Sequence, residues 1–550
     1  MYLLQSLFIL LILRQIVANR RVIPMEHPPD LLSDNPFLNS QASMVPIPEW
    51  TPPSTTLNPF FGENPLPPPY FPLKIEGDNK EQYKLPGLPT AAIAAPPAPF
   101  VFPPTFILPV PSIPPPIPVT FPSIVTNPTG STLEPINIDP EAIMNVPEII
   151  QHWGYPVEEH QVVTSDGYIL TLHRIPCGKK NSNSTAIRPV VFLQHGLLCT
   201  SSIWLLNLPH QSAGFVFADQ GFDVWLGNMR GNVYSKQHVT LSSDSNDFWK
   251  FSWEEMAEYD LPAMIDYVLN ETDQSSLYYV GHSQGTLTML AKLSEDQKFA
   301  SKIRKFFSLA PVSRMSHVKG LFFYLGEIYE QFNLVYRLFG DNEFLSNNIF
   351  TRLLTNIICD KSVNNPLCEN FIFSVSGPNS NQFNSSRIGI YLAHNPAGTS
   401  SRNMLHFAQM VHNKRIESFD RGKEANIRSY GKSVPPQYNL TKVHCDIYLF
   451  YSDYDWLASA ADVEQFLIPT LPRESVKFAR KLDEFNHNDF LWGLRARKEI
   501  YDPITNIIKV DFRRLSIQHN MNSYFKSYPH PIKTLNDVSD KINVSSIELD

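Results

Sequence analysis

An α/β architecture, with a mostly parallel central sheet, helices on both faces and an inserted cap region, is predicted by three features of this 550-residue chain. Short β-rich runs alternate with helix-like ones from about Asp139 to Val510, which is the rhythm of crossovers between parallel strands. One run, Leu277-Tyr278-Tyr279-Val280, enters a tight Gly281-His282-Ser283-Gln284-Gly285 corner and leaves it through the helix-forming residues 286–293. The strand rhythm then lapses between Ala310 and about Tyr438, an insertion large enough to cover one end of such a sheet.

In chain order, residues 3–13 are apolar apart from Gln5 and Ser6. That stretch is too short to span a bilayer and has the length of a signal-peptide core, so residues 1–18 read as a signal peptide cut near Ala18. No Lys or Arg precedes it, which leaves an uncleaved anchor as the alternative. Residues 19–138 form a second region. Of the chain's 48 prolines, 31 lie between Pro24 and Pro140, and no charged residue occurs in 85–133. Proline fixes φ and removes a backbone donor, so this stretch reads as a disordered linker or cleavable pro-region rather than a folded domain. A segment that docks on an aromatic groove, a lipid surface or the chain's own catalytic domain is the other reading.

The third region, 139–510, carries the α/β pattern. Residues 158–164 and 168–174 read as a hairpin turned at Asp166-Gly167. Runs 189–194, 222–226, 277–280, 305–310 and 447–451 read as central strands, and 253–269 as an amphipathic helix. The cap insertion spans about 311–438 and is rich in aromatics, among them Phe322, Phe323, Tyr329, Phe332, Tyr336, Phe339 and Phe344. About half of these are expected in the core and the rest on a face that meets lipid. A polar C-terminal extension, 511–550, adds no recognisable chemistry and is expected to be partly disordered.

Composition excludes some partners. A net charge of −8 with no long basic run argues against nucleic acid. No later run is apolar enough to cross a membrane. The five cysteines, Cys177, Cys199, Cys359, Cys368 and Cys445, leave at least one thiol unpaired within the chain, while Cys359 and Cys368 are near enough in sequence to clip a local loop. No C-x-x-C or H-E-x-x-H pairing is present, so neither a metal nor a cofactor is expected. Asn183, Asn270, Asn384, Asn439 and Asn543 each begin a glycosylation sequon, in keeping with a secretory route.

The glycine-flanked Ser283 has the setting of a nucleophile at a strained strand-to-helix corner. A serine hydroxyl needs a histidine to take its proton and a carboxylate to hold that histidine's tautomer. Where this corner occurs in α/β enzymes, acid and base follow in that order. Asp455 lies in a turn after the run 447–451, with Asp453 as an alternative acid. His487 follows another strand-like run, with His444 and His406 as weaker alternatives. The oxyanion of the intermediate needs two backbone donors, assigned to Gln284, just after the serine, and Leu197, in the loop after 189–194. His195 and His282 read as packing and hydrogen-bonding residues of those two loops.

Longer motifs add a resemblance. Trp153-Gly154-Tyr155-Pro156, Phe192-Leu193-Gln194-His195-Gly196-Leu197-Leu198, Asp223-Val224-Trp225-Leu226-Gly227-Asn228, Gly281-His282-Ser283-Gln284-Gly285, Asn395-Pro396-Ala397-Gly398-Thr399-Ser400, Asp455-Trp456-Leu457-Ala458 and Asn486-His487-Asn488-Asp489-Phe490 occur in order. With these, the chain from about Asp139 to Val510 resembles the acid lipase family of α/β-hydrolases, the gastric and lysosomal acid lipase type. The resemblance implies Ser283 as nucleophile, Asp455 rather than Asp453 as acid, His487 as base, and Leu197 and Gln284 as the oxyanion hole. It also implies a movable lid in the cap, with a Cys359–Cys368 disulfide fixing its geometry. The substrates implied are neutral lipid esters, triglycerides or cholesteryl esters, met at a lipid–water interface. An acidic working pH and a secreted or lysosomal destination are implied as well. Residues 19–138 and the tail 511–550 depart from the family's usual extent. A lipid carrier or scaffold that keeps the fold without turnover is the competing reading.

Overall fold

The computed structural model describes residues 139–180, 186–345, 347 and 372–527. The expected signal peptide, the proline-rich region, Asn183, Cys359, Cys368 and Asn543 lie outside the described residues.

A hairpin of β1 (Glu158–Val163) and β2 (Tyr168–Ile175) turns at Gly167, whose φ of 98° suits glycine. Next come β3 (Val190–Gln194), β4 (Asp223–Gly227), the short β5 (Gln237–His238), β6 (Leu277–His282) and β7 (Ile303–Leu309). After the two-residue cap strands β8 (Glu343–Phe344) and β9 (Thr399–Ser400), the sheet resumes with β10 (Ile447–Ser452) and β11 (Val476–Leu482). The main sheet runs β1-β2-β4-β3-β6-β7-β10-β11, with β5 on β2. Neighbours from β4 to β11 are parallel, and β1, β2 and β5 form an antiparallel edge. The mostly parallel α/β sheet expected from the sequence is therefore the fold observed.

Every residue of β3, β4 and β6 is buried, as required of strands covered on both faces. By contrast, β11 is largely exposed and carries Lys477, Arg480 and Lys481, which blunt the sheet edge against pairing with another chain. From β3 the chain proceeds to β4 on one side and later to β6 on the other. That reversal opens a crevice beyond the carboxyl ends of β3 and β6, the usual ligand position in such sheets.

The helix expected over 253–269 extends from Trp253 to Thr272, but its second turn, Met256–Asp260, is π-helical. Two further π segments occur among the described residues, Val463–Leu467 and Arg497–Tyr501. Each ends two residues before a proline: Pro262, Pro469 and Pro503. A proline inside a helix removes one N–H and clashes with the carbonyl four residues back. Widening the preceding turn relieves both problems without breaking the helix.

The sheet is accompanied by helices α1 (Val146–His152), α2 (Leu261–Thr272) and α3 (Gln284–Glu295), the last of which follows Ser283 directly. The cap supplies α4 (Gly320–Glu327), α5 (Tyr329–Phe339), α6 (Ile388–His394) and α7 (Ser401–Asn413). Its aromatics divide: Phe332 and Phe344 are buried in a cap core with Met404, Leu405 and Phe419, whereas Phe323 is exposed. The cap is also tied to the start of the domain. Arg387 donates to both carboxylate oxygens of Glu141 at 2.7 Å, and both side chains are buried. Removing either partner would strand a buried charge, a loss of about 3–5 kcal/mol.

The polar extension expected over 511–550 begins inside α8, which runs unbroken over Asp502–Ser527. Asp511 is buried and accepts hydrogen bonds from Tyr278 Oη at 2.9 Å and Arg304 Nε at 2.7 Å. A carboxylate looks like a surface residue in sequence; here it ties α8 to β6 and β7. No helix among the described residues is long and apolar enough to cross a membrane. Of the described sequons, Asn270 and Asn439 are exposed, and Asn384 is partly buried where it caps a 3-10 turn.

Candidate active site

Ser283 stands between β6 and α3 with φ 53° and ψ −119°, a conformation rarely adopted outside glycine. The flanking glycines are sterically required. A Cβ on Gly281 would lie 2.8 Å from the carbonyl oxygen of Gly285, and one on Gly285 would lie 2.6 Å from that of Gln194 at the end of β3. Thus the G-x-S-x-G spacing records how closely the corner packs on itself and on β3.

Asp455 and His487 come from the loops after β10 and β11. His487 Nδ1 lies 3.0 and 2.9 Å from the two Asp455 carboxylate oxygens. The backbone N–H groups of Leu457 and Ala458 also donate to Asp455 Oδ1, at 2.9 and 2.8 Å. A carboxylate held by three donors fixes the His487 ring with its proton on Nδ1, leaving a lone pair on Nε2. Ser283 and His487 line one cavity of about 210 Å³, shared with Leu197, Leu321, Phe344 and Trp492 among other mainly apolar side chains.

The loop after β3 also opens on this cavity. Gly196 carbonyl accepts from His195 Nδ1 at 2.8 Å and from the Cys199 N–H at 3.3 Å. Across a trans peptide the N–H points opposite to the carbonyl, so these bonds turn the Leu197 N–H the other way. Gln284 is the first residue of α3, where an N–H has no acceptor within its own helix. The Gln284 side chain is anchored by Asn403, whose Nδ2 donates to Oε1 at 2.8 Å.

The alpha/beta hydrolase fold family matches residues 189–494, and the partial alpha/beta-hydrolase lipase region matches residues 146–208. The chain is 47% identical over 387 residues to lipase lipl-1 of Caenorhabditis elegans, covering 70% of this chain and 96% of that protein. It is 43% identical over 373 residues to gastric triacylglycerol lipase of Homo sapiens, covering 68% of this chain and 92% of the relative. Identity to Homo sapiens lysosomal acid lipase/cholesteryl ester hydrolase is also 43% over 373 residues, with the same coverage of 68% and 92%. The chain belongs to the acid lipase family of α/β-hydrolases. It is a carboxylic ester hydrolase of the lipase type.

The remaining candidates of this lipase fall elsewhere. Asp453 is exposed and pairs with Lys481 at 2.8 Å, pointing to the surface rather than to His487. His444 is largely exposed and lies 3.7 Å from Glu474. His406 is buried, stacked on Trp253 and bonded to Ser252 Oγ and the Glu417 carbonyl. His195 accepts the Met229 N–H on Nε2 at 3.1 Å, and burial pushes its pKa down to about 4, so it stays a neutral donor through Nδ1.

Sequence reasoning missed the cap's hold on His487. Ser376 carbonyl, at the end of a helical stretch of the cap, accepts the His487 N–H at 3.0 Å and the Trp456 N–H at 3.4 Å. A backbone carbonyl leaves no trace in side-chain identity. The visible hint is Gly377, with φ 126° and no room for a Cβ against the Tyr454 carbonyl.

Asp489, two residues past His487, is fully buried; one oxygen accepts the Asn486 N–H at 2.8 Å and the other has no hydrogen-bond partner among the described residues. Burial raises its pKa from 3.8 to about 7, with the Asp455 charge adding in the same direction. Between those values the folded chain keeps a proton that the unfolded chain has released. The stability it contributes is full below 3.8, falls by up to about 1.4 kcal/mol per pH unit, and is lost above 7. Asp489→Asn mimics the protonated acid. It should match the parent near pH 4 and exceed it near pH 8 in urea unfolding; parallel curves at all pH values would remove this account.

Proposed function

We propose that this lipase hydrolyses fatty-acyl esters of neutral lipids through an acyl-enzyme on Ser283. His487 Nε2 takes the serine proton as the hydroxyl attacks the ester carbonyl, and the Leu197 and Gln284 N–H groups receive the oxyanion. The same imidazole protonates the departing alcohol, then draws a proton from water to release the fatty acid. Asp455 remains ionised and stabilises the imidazolium. The observation that carries this reading is the Asp455–His487 pair, at 2.9 Å, opening on the same cavity as the strained Ser283.

The mainly apolar cavity suits acyl chains, whose burial contributes about 0.8 kcal/mol per CH₂. Relatives named for triacylglycerol and cholesteryl ester hydrolysis support neutral lipids as the substrate class and an acidic working pH. They also support a secreted or lysosomal destination, to which glycans on the exposed Asn270 and Asn439 would be suited.

A hydrolysis panel at pH 4–8 with an emulsified triglyceride, a cholesteryl ester and a soluble short-chain ester tests the substrate class. Turnover should be highest on a dispersed long-chain ester and at acidic pH. Equal turnover of all three would make this a plain carboxylesterase. Labelling by a fluorophosphonate, mapped to Ser283, excludes the carrier reading, since a scaffold without an activated serine takes no label.

A further inference from the structure

We propose that His282 is a positioning residue that joins the nucleophile's strand directly to the loop of the catalytic base. This rests on the Ser283–His487 chemistry proposed above and adds a part to it.

His282 is the last residue of β6 and is buried. Its Nε2 lies 2.9 Å from the backbone carbonyl of His487, 205 residues along the chain. A carbonyl only accepts, so Nε2 carries the proton and Nδ1 does not. Nδ1 is buried with no hydrogen-bond partner among the described residues. It faces the oxyanion loop, where a Cβ on Gly196 would come within 3.2 Å of it. The two imidazoles themselves sit with centroids 4.8 Å apart.

The backbone of His487 is thus gripped at both ends. Ser376 carbonyl takes its N–H at 3.0 Å, and His282 donates to its carbonyl at 2.9 Å. The first grip comes from the cap, while the second comes from the residue next to the nucleophile. Any displacement of β6 therefore carries serine and base together, preserving the separation across which the proton moves. Such control matters because misplacement by about 1 Å costs on the order of 10²-fold in rate.

Neutrality is part of the arrangement. Protonation would put a donor on Nδ1, which has no acceptor, and a charge beside the imidazolium that His487 becomes during turnover. Burial, then the neighbouring His487 and His195 imidazoles, hold the His282 pKa well below its ordinary value. The ring therefore stays neutral in acid as well as at neutral pH, and Nδ1 is spared a proton that has no acceptor.

Three variants separate positioning from packing. Gln places a side-chain N–H near the original Nε2, Asn cannot reach it, and Met fills the volume without any donor. Active sites are counted by fluorophosphonate titration of a parallel sample, so that kcat refers only to folded enzyme with a reactive serine. His282→Met and His282→Asn should lower kcat by about 10-fold to 100-fold with KM within about twofold, and His282→Gln should restore most of it. Parental kcat per labelled site in Met, or Gln no better than Asn, overturns the proposal. If Met does not fold, the Gln–Asn comparison alone decides. The parent labelled at a residue other than Ser283 would instead sink the underlying mechanism.

Discussion

Ser283→Ala lowers kcat on an emulsified ester by about 10⁶-fold, leaving the residual activity supplied by the oxyanion donors and substrate binding. The loss follows from position as well as chemistry. Ser283 is the side chain that the G-x-S-x-G corner pushes into the cavity, at φ 53°, while the backbone around it is locked by Gly281 and Gly285. Alanine fits the same backbone, so the variant should fold, bind lipid and fail only in turnover. Thermal unfolding of the variant should match that of the parent, and fluorophosphonate labelling should vanish. An alanine variant that keeps most of its hydrolysis would mean another group attacks the ester.

Asp455→Asn is expected to lower kcat by about 10⁴-fold with little change in KM. The amide oxygen can still accept the Leu457 and Ala458 N–H groups, which now hold Oδ1 at 2.9 and 2.8 Å. Its NH₂ must then face His487 Nδ1, where a donor meets a donor unless the ring moves its proton to Nε2. That tautomer cannot take the serine proton. Asp453→Asn is the matched control: its carboxylate is exposed and salt-bridged to Lys481, and activity should stay within about twofold. If the two variants exchange behaviours, the acid has been misassigned. Rates measured against the same emulsion, with unfolding curves for both, settle the comparison.

Much of this lipase was legible before its structure. Strands β3, β4 and β6 are buried throughout, so their apolar, β-branched runs stand out from the polar turns. The corner at Ser283 was equally clear, because close packing there leaves room for glycine alone on either side. Other elements gave weak signals. Strands β5, β8 and β9 are two residues long, too short for any alternation to register. The exposed edge strand β11 and the polar helix α8 lack continuous apolar runs, and α8 is held partly through ion pairs of Asp511. The three π turns sit where a proline would by itself suggest a helix end.

Residue identity and local spacing determined the parallel α/β sheet and the tight corner at Ser283, because continuous apolar runs mark strands buried on both faces and short-range sterics leave room only for glycine around that serine. That Asp455 rather than Asp453 lies against His487 is a matter of tertiary structure: two carboxylates in one turn differ only in direction, and just one turns inward to a ring 32 residues away. The grip of His282 and of the Ser376 carbonyl on His487 belongs to the same class. Those bonds join segments brought together by the sheet order, and no pattern along the chain encodes a bond from a side chain to a backbone carbonyl 205 residues away, or one between the backbones of two distant segments.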